Sequence, residues 1–239
     1  MADGQITLAY SRNTGVVAIA SGEEYTWAQT ALTKAGFQRD EHGVYRLPGE
    51  THDAIRGTLA DLVHIARVHD TSVTTCSRGF LGDTAGDIAG LLPGRWEAEI
   101  EIYAHPAWQG DLAAWLWDDG DLARAVRTTR ITHVATLTNA AGDTLLLIDR
   151  PGPERGFLLG SLSPTGFDDG YQGRHCPRSV ALPASPFHAA QVIVEQFLPA
   201  YERAVHDRQA EVEHQRADTP ACPPVPVSSP NRQFGPPRH

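Results

Sequence analysis

Apolar positions along this chain recur with two periods, one matching strands and one matching helices. The strand signal is densest from Ile131 to Leu162, where THVATLT, TLLLID and GFLLGSL are separated by NAAGD and RPGPER. Apolar runs broken by Gly, Pro, Asn and Asp predict an antiparallel meander. The Asn139–Asp143 segment suits a hairpin loop, with Gly142 at the position that needs positive φ. Leu145, Leu146, Leu147 and Ile148 do not alternate, which predicts a central strand buried on both faces.

The first eighty residues follow a different order. QITLAY at 5–10 and GVVAIA at 15–20 read as strands closed by Gly15. Tyr25, Ala28, Leu32 and Ala35 then recur at helical spacing and stop at Gly36. A short hairpin over 37–47 ends at Pro48. Ile55, Leu59, Leu62, Val63 and Ala66 mark a second amphipathic helix, capped by Thr51. TSVTTCS at 71–77 returns as a strand, giving ββαββαβ.

Residues 81–94, rich in Gly and interrupted by Pro93, read as a linker with a short helix at 84–92. RWEAEIEIYAH then alternates cleanly. Trp96, Ala98, Ile100 and Ile102 face one way, and Glu97, Glu99, Glu101 and Tyr103 the other. From Pro106 to Val126 a helix is expected with Trp108, Leu112, Trp115 and Leu116 on its apolar side. The DDGD insert divides it, since Gly120 costs about 1 kcal/mol in a helix interior. After the meander come an aperiodic loop at 163–177, a fourth strand at 178–183 and a helix opened by Ser185 and Pro186. That helix buries Phe187, Val192, Val194, Phe197, Leu198 and Tyr201 and kinks at Pro199. The pattern predicts an α+β fold of two small units with antiparallel sheets, each packed against helices. They span 1–80 and 95–206, joined by 81–94 and followed by a disordered, proline-rich 207–239.

Charge changes this picture in one place. The net charge is −9, and residues 81–130 hold nine acidic side chains against four basic ones. Three carboxylates on one face of a strand repel one another, so that face meets water or a basic partner. Glu97, Glu99 and Glu101, with Asp118, Asp119 and Asp121, are the candidate partner-binding residues. No block of basic residues supplies a phosphate-binding surface, which argues against nucleic acid.

Little else in the chain suggests chemistry. Cys76, Cys176 and Cys222 are too widely spaced for a zinc motif or a disulfide framework. Cys176 beside His175, in a loop with Asp168, Asp169, Tyr171 and Arg174, is the one candidate for an enzyme site. A reactive thiolate, however, needs a positioned base as well as sequence adjacency. His64 and His69, near Asp61 and Asp70, are five apart and do not share a helical face as a zinc pair would. Phosphate cradles and nucleophile elbows are missing from the sequence. No metal or cofactor is expected. No apolar run reaches the roughly 20 residues of a membrane span, and the N-terminus lacks a signal core, so the expected location is cytoplasmic. PACPPVPV at 220–227 has the spacing of a polyproline II ligand.

THVATLTNAAGDTLLLIDRPGPERGFLLGSL and SPFHAAQVIVEQFLPAYERAV, within residues 108–205, resemble actinobacterial proteins of unknown function associated with plasmids and integrated elements. A single lysine, Lys34, against nineteen arginines fits a GC-rich genome of that type. The resemblance implies no activity and no site residues. The sequence thus predicts a non-enzymatic protein–protein interaction or adaptor module, with self-association through an edge strand or the Trp-rich helix as one form of it. The alternatives are a nucleic-acid-associated protein of a mobile element and an enzyme with its site in the 163–177 loop.

Overall fold

The computed structural model describes residues 3–48, 51–164 and 175–218, excluding the side chains of 215–218. The fold is α+β, with two five-stranded sheets packed on helices. The first sheet contains β1 (Gly4–Ser11), β2 (Gly15–Gly22), β3 (Gln38–Arg39), β4 (Tyr45–Arg46) and β5 (Thr71–Gly79), in the order β3-β4-β2-β1-β5. Helices α1 (Tyr25–Lys34) and α2 (His52–Val68) cover one face. Ile6, Ala18 and Ala20 from the strands meet Ala28, Leu32, Leu62 and Ala66 from the helices in a buried core. The Thr51 hydroxyl accepts the Ala54 N–H at the start of α2, as its sequence position predicts.

This sheet is not wholly antiparallel. β5 lies parallel to β1. The reason is the crossover: α2 carries the chain back over the sheet, so the next strand runs in the direction of β4, which parallels β1.

The second sheet is the predicted meander, extended at both ends. It contains β6 (Trp96–Ile102), β7 (His133–Asn139), β8 (Thr144–Asp149), β9 (Phe157–Ser161) and β10 (Val180–Leu182), all antiparallel, in the order β10-β9-β8-β7-β6. Gly142 has φ +89° in the β7–β8 turn. The Asn139 carboxamide oxygen accepts the N–H groups of Ala141 and Asp143 there. Helices cover both faces, which is why β8 does not alternate. Leu145 and Leu147 pack with α3 (Leu81–Leu91) and α6 (Pro186–Val192). Leu146 and Ile148 pack with α4 (Gln109–Trp115) and α5 (Asp121–Thr128).

Two expectations are corrected. The segment 81–94 is no free linker: Leu81, Ala85, Ile88 and Ala89 of α3 are buried in a core shared by both sheets, since Val17 and Val44 of the first unit belong to it. Gly82 and Gly86 make this stretch read as loose, yet small residues also let a helix approach a sheet closely. The chain from 207 onward is not all tail, because α7 (Leu198–Asp218) continues past it with Arg208 only 1% exposed; residues 219–239, with Cys222 and the polyproline segment, lie outside the described residues. Pro199 is accommodated by a wide π-helical turn at Ile193–Phe197, in which Leu198 N–H bonds the Ile193 carbonyl. A wider turn suits a proline, which has no N–H to continue the normal ladder.

Candidate functional site: the acidic edge and the Arg78 junction

The six acidic candidates do not form one surface. Glu97, Glu99 and Glu101 are exposed on β6, the edge of the second sheet. Asp118 lies near β9 and β10, where Trp117 N–H bonds the Ser161 carbonyl. β7 and β8 intervene, a separation of about 14 Å at a strand spacing of ~4.8 Å. Asp118 is also buried, at 5% exposure. Its carboxylate accepts the N–H groups of Gly120 (3.1 Å), Ala123 (2.8 Å) and Ser179 (2.8 Å). It caps α5 and ties that helix to the strand leading into β10, so it is not open to a partner. Asp119 and Asp121 are exposed, and Asp121 pairs with Arg124 at 3.1 Å.

On β6 the strand geometry is informative. Tyr103 N–H donates to the Thr132 carbonyl at 2.8 Å, and the β6–β7 register runs without a break from Trp96↔Asn139 to Ile102↔His133. Antiparallel bonding alternates, so Glu97, Glu99 and Glu101 direct their main-chain groups to β7, while Trp96, Ala98, Ile100 and Ile102 direct theirs outward. Ala104 fits the same alternation: its carbonyl accepts Gly22 N–H, so the first sheet closes the far end of this edge. Glu97 pairs with Arg95 at 2.7 Å and Glu101 accepts the Tyr103 hydroxyl. Burial and the Glu101 charge push the Tyr103 phenol well above its usual range.

Among the described residues nothing activates the thiol candidate. Burial, followed by the charges of Asp119 and Asp118, pushes Cys176 up to about 11 and holds it as the neutral thiol. His175, at φ +56°, turns to Glu211 at 3.4 Å. Asp168, Asp169, Tyr171 and Arg174 lie outside the described residues. His64 is exposed, whereas His69 stacks on Trp27 with ring centroids 5.3 Å apart, so this pair diverges. The tryptophans also differ from expectation: Trp117 is buried, but Trp115 is 63% exposed and Trp108 42%. Trp115 is the last residue of α4, and the chain turns extended at Leu116, so the helix ends before the apolar side expected over 106–126 is completed.

A second locus was not legible in the sequence. Arg78, at the end of β5, reaches the loop between β8 and β9. Its guanidinium donates to the carbonyls of Arg150 (2.9 Å), Gly152 (3.2 Å) and Glu154 (3.1 Å), and to the Asp149 carboxylate at 3.4 Å. Burial raises the Asp149 pKa, with Arg78 pulling against it. Cavities of about 500 Å³ and about 270 Å³ both border this contact. The loop's density of Gly and Pro was its only sequence signal; nothing local to Arg78 pairs it with residues 71 or more positions away.

Among the described residues, no group of three or more His, Cys, Asp or Glu side chains is arranged to hold a metal, and no helix is long and apolar enough to cross a membrane. Comparison of the chain with protein-family models, with characterised proteins and with solved structures returns no match.

Proposed function

We propose that this protein is a non-enzymatic protein-binding module whose edge strand β6 takes up an extended, basic segment of a partner. The observation that carries the reading is the double character of β6. Among the described residues it is bonded on one side only, and three carboxylates stand at alternate positions on its exposed face. A segment added along such an edge gains main-chain hydrogen bonds, and its own alternate side chains lie beside the glutamates. Lys or Arg at every second position matches them, each cross-strand pair adding roughly 0.2–1 kcal/mol. A second copy is a poorer occupant, because antiparallel self-pairing of β6 sets glutamates against glutamates.

The test is fluorescence anisotropy with a labelled peptide alternating Arg and Val, against one alternating Glu and Val. The Arg peptide should bind, weaken as salt rises, and lose affinity by about tenfold or more for the Glu97→Gln, Glu99→Gln, Glu101→Gln triple variant. Equal affinity for both peptides, or no effect of the triple variant, would discard the β6 reading. Direct binding of labelled duplex DNA to the protein, measured without the peptide, would redirect it to nucleic acid.

A further inference from the structure

The geometry points to the 500 Å³ cavity beside Arg78 as a binding site for a small organic oxyanion, a phosphate or carboxylate carried on an apolar body. The cavity lies where the end of β5, the first turn of α3 and the β8–β9 loop come together, and its size is within the range of small-molecule sites. Its polar lining consists mainly of donors. Ser77 and Thr84 bring hydroxyls with no other hydrogen bond among the described residues, and Arg155 brings a cation with neither a hydrogen bond nor an ion pair there. Arg78 adds a second positive charge. Four of its five N–H directions are committed to the loop and to Asp149, so it acts on a ligand mainly through its field. Phe157 and Pro153 supply apolar wall for the ligand's body.

Charge supports the choice of ligand. The chain carries −9 overall, yet two arginines against one carboxylate, Asp149, leave this lining with a net positive charge. An arginine left unpaired beside a cavity in an acidic protein is a ready partner for a carboxylate or phosphate, which its guanidinium can grip with two parallel bonds.

The loop is also held in place before any ligand arrives. Gly156 has φ +119°, and a Cβ there would stand 2.2 Å from the Leu182 carbonyl oxygen, so β9 starts tightly against β10. Arg150 N–H bonds the Gly156 carbonyl at 3.0 Å, and Arg78 gathers three loop carbonyls from the other side. Arg155 therefore projects from a fixed base, which lowers the entropy cost of binding.

The experiment is a titration of the isotope-labelled chain followed by amide chemical shifts, with phenyl phosphate, benzoate and inorganic phosphate as probes. Saturable shifts should appear in Ser77–Thr84 and in the 152–157 loop with phenyl phosphate, benzoate or both. Which of the two binds tighter tells a phosphate ligand from a carboxylate one. Inorganic phosphate, lacking the apolar body, should bind about tenfold or more weakly. Arg155→Glu should abolish saturation, whereas Arg124→Glu, on α5, should leave it unchanged; both sites are exposed, and each variant's melting temperature is checked first. Shifts that fail to saturate below about 10 mM for either organic probe, that map elsewhere, or that survive Arg155→Glu would overturn the assignment.

Discussion

The Asp118 carboxylate accepts the backbone N–H of Ser179 at 2.8 Å, joining the start of α5 to a segment 61 residues later. The Ser179 hydroxyl returns the contact by accepting Leu122 N–H at 3.0 Å. Between them they satisfy N–H groups at the start of α5 that no intrahelical carbonyl can reach. Asp118→Ala should therefore destabilise the fold by about 1–3 kcal/mol, through the lost cap and the buried donors left unsatisfied. Asp119→Ala, one residue on and exposed, should stay within about 0.5 kcal/mol of the parent. Urea unfolding of the two variants decides it, and equal losses would count against a capping role.

His133 should give the protein a pH-dependent stability. Burial on β7 pushes its imidazole down to about 4, against roughly 6.5 for an unfolded histidine. Between those values the unfolded chain holds the proton and the folded one does not. Its contribution is complete above pH ~6.5, declines as the pH falls toward about 4, and changes no further below that. The loss between pH 7.5 and pH 5 should be on the order of 2 kcal/mol, and His133→Gln should remove most of it. Unfolding free energies at pH 7.5 and pH 5, parent against variant, provide the measurement.

Gly156 should tolerate a side chain poorly. Gly156→Ala places a methyl group against the Leu182 carbonyl in a left-handed backbone conformation. We expect a stability loss of about 1–3 kcal/mol. Gly142→Ala is the comparison: Gly142 shares positive φ but has nothing within 4 Å, so it reports the backbone cost alone. A Gly156 loss no larger than that of Gly142 would mean that the close approach to Leu182 is relieved by a local shift.

Cys176 should be slow to alkylate. Held near 11, it supplies little thiolate at pH 8, and even allowing for the greater nucleophilicity of a basic thiolate its rate should be roughly tenfold or more below that of a free cysteine. Peptide mapping after timed iodoacetamide treatment reads this site separately from Cys76. Reaction at the free-thiol rate would reopen the case for a nucleophile in the loop.

Local pattern was sufficient wherever one element's own residues decided the outcome. The β7–β8–β9 meander, the two-faced burial of Leu145–Ile148, the ββαββαβ order and the exposed glutamates of β6 all follow from alternation, turn residues and helical spacing. These signals act over a few residues, so a single sequence carries them in full.

What required the folded chain were relations between distant segments. The glycines of α3 read as a linker, but the helix fills a core between both sheets. Asp118 reads like its acidic neighbours, but it is drawn inside by Ser179. Arg78 shows no sign in sequence that it will meet Asp149, nor that Ser77, Thr84 and Arg155 will border one cavity. The physical reason is the same for each: local pattern states which side of an element is buried, whereas the partner that fills that side is set by the path of the chain between them.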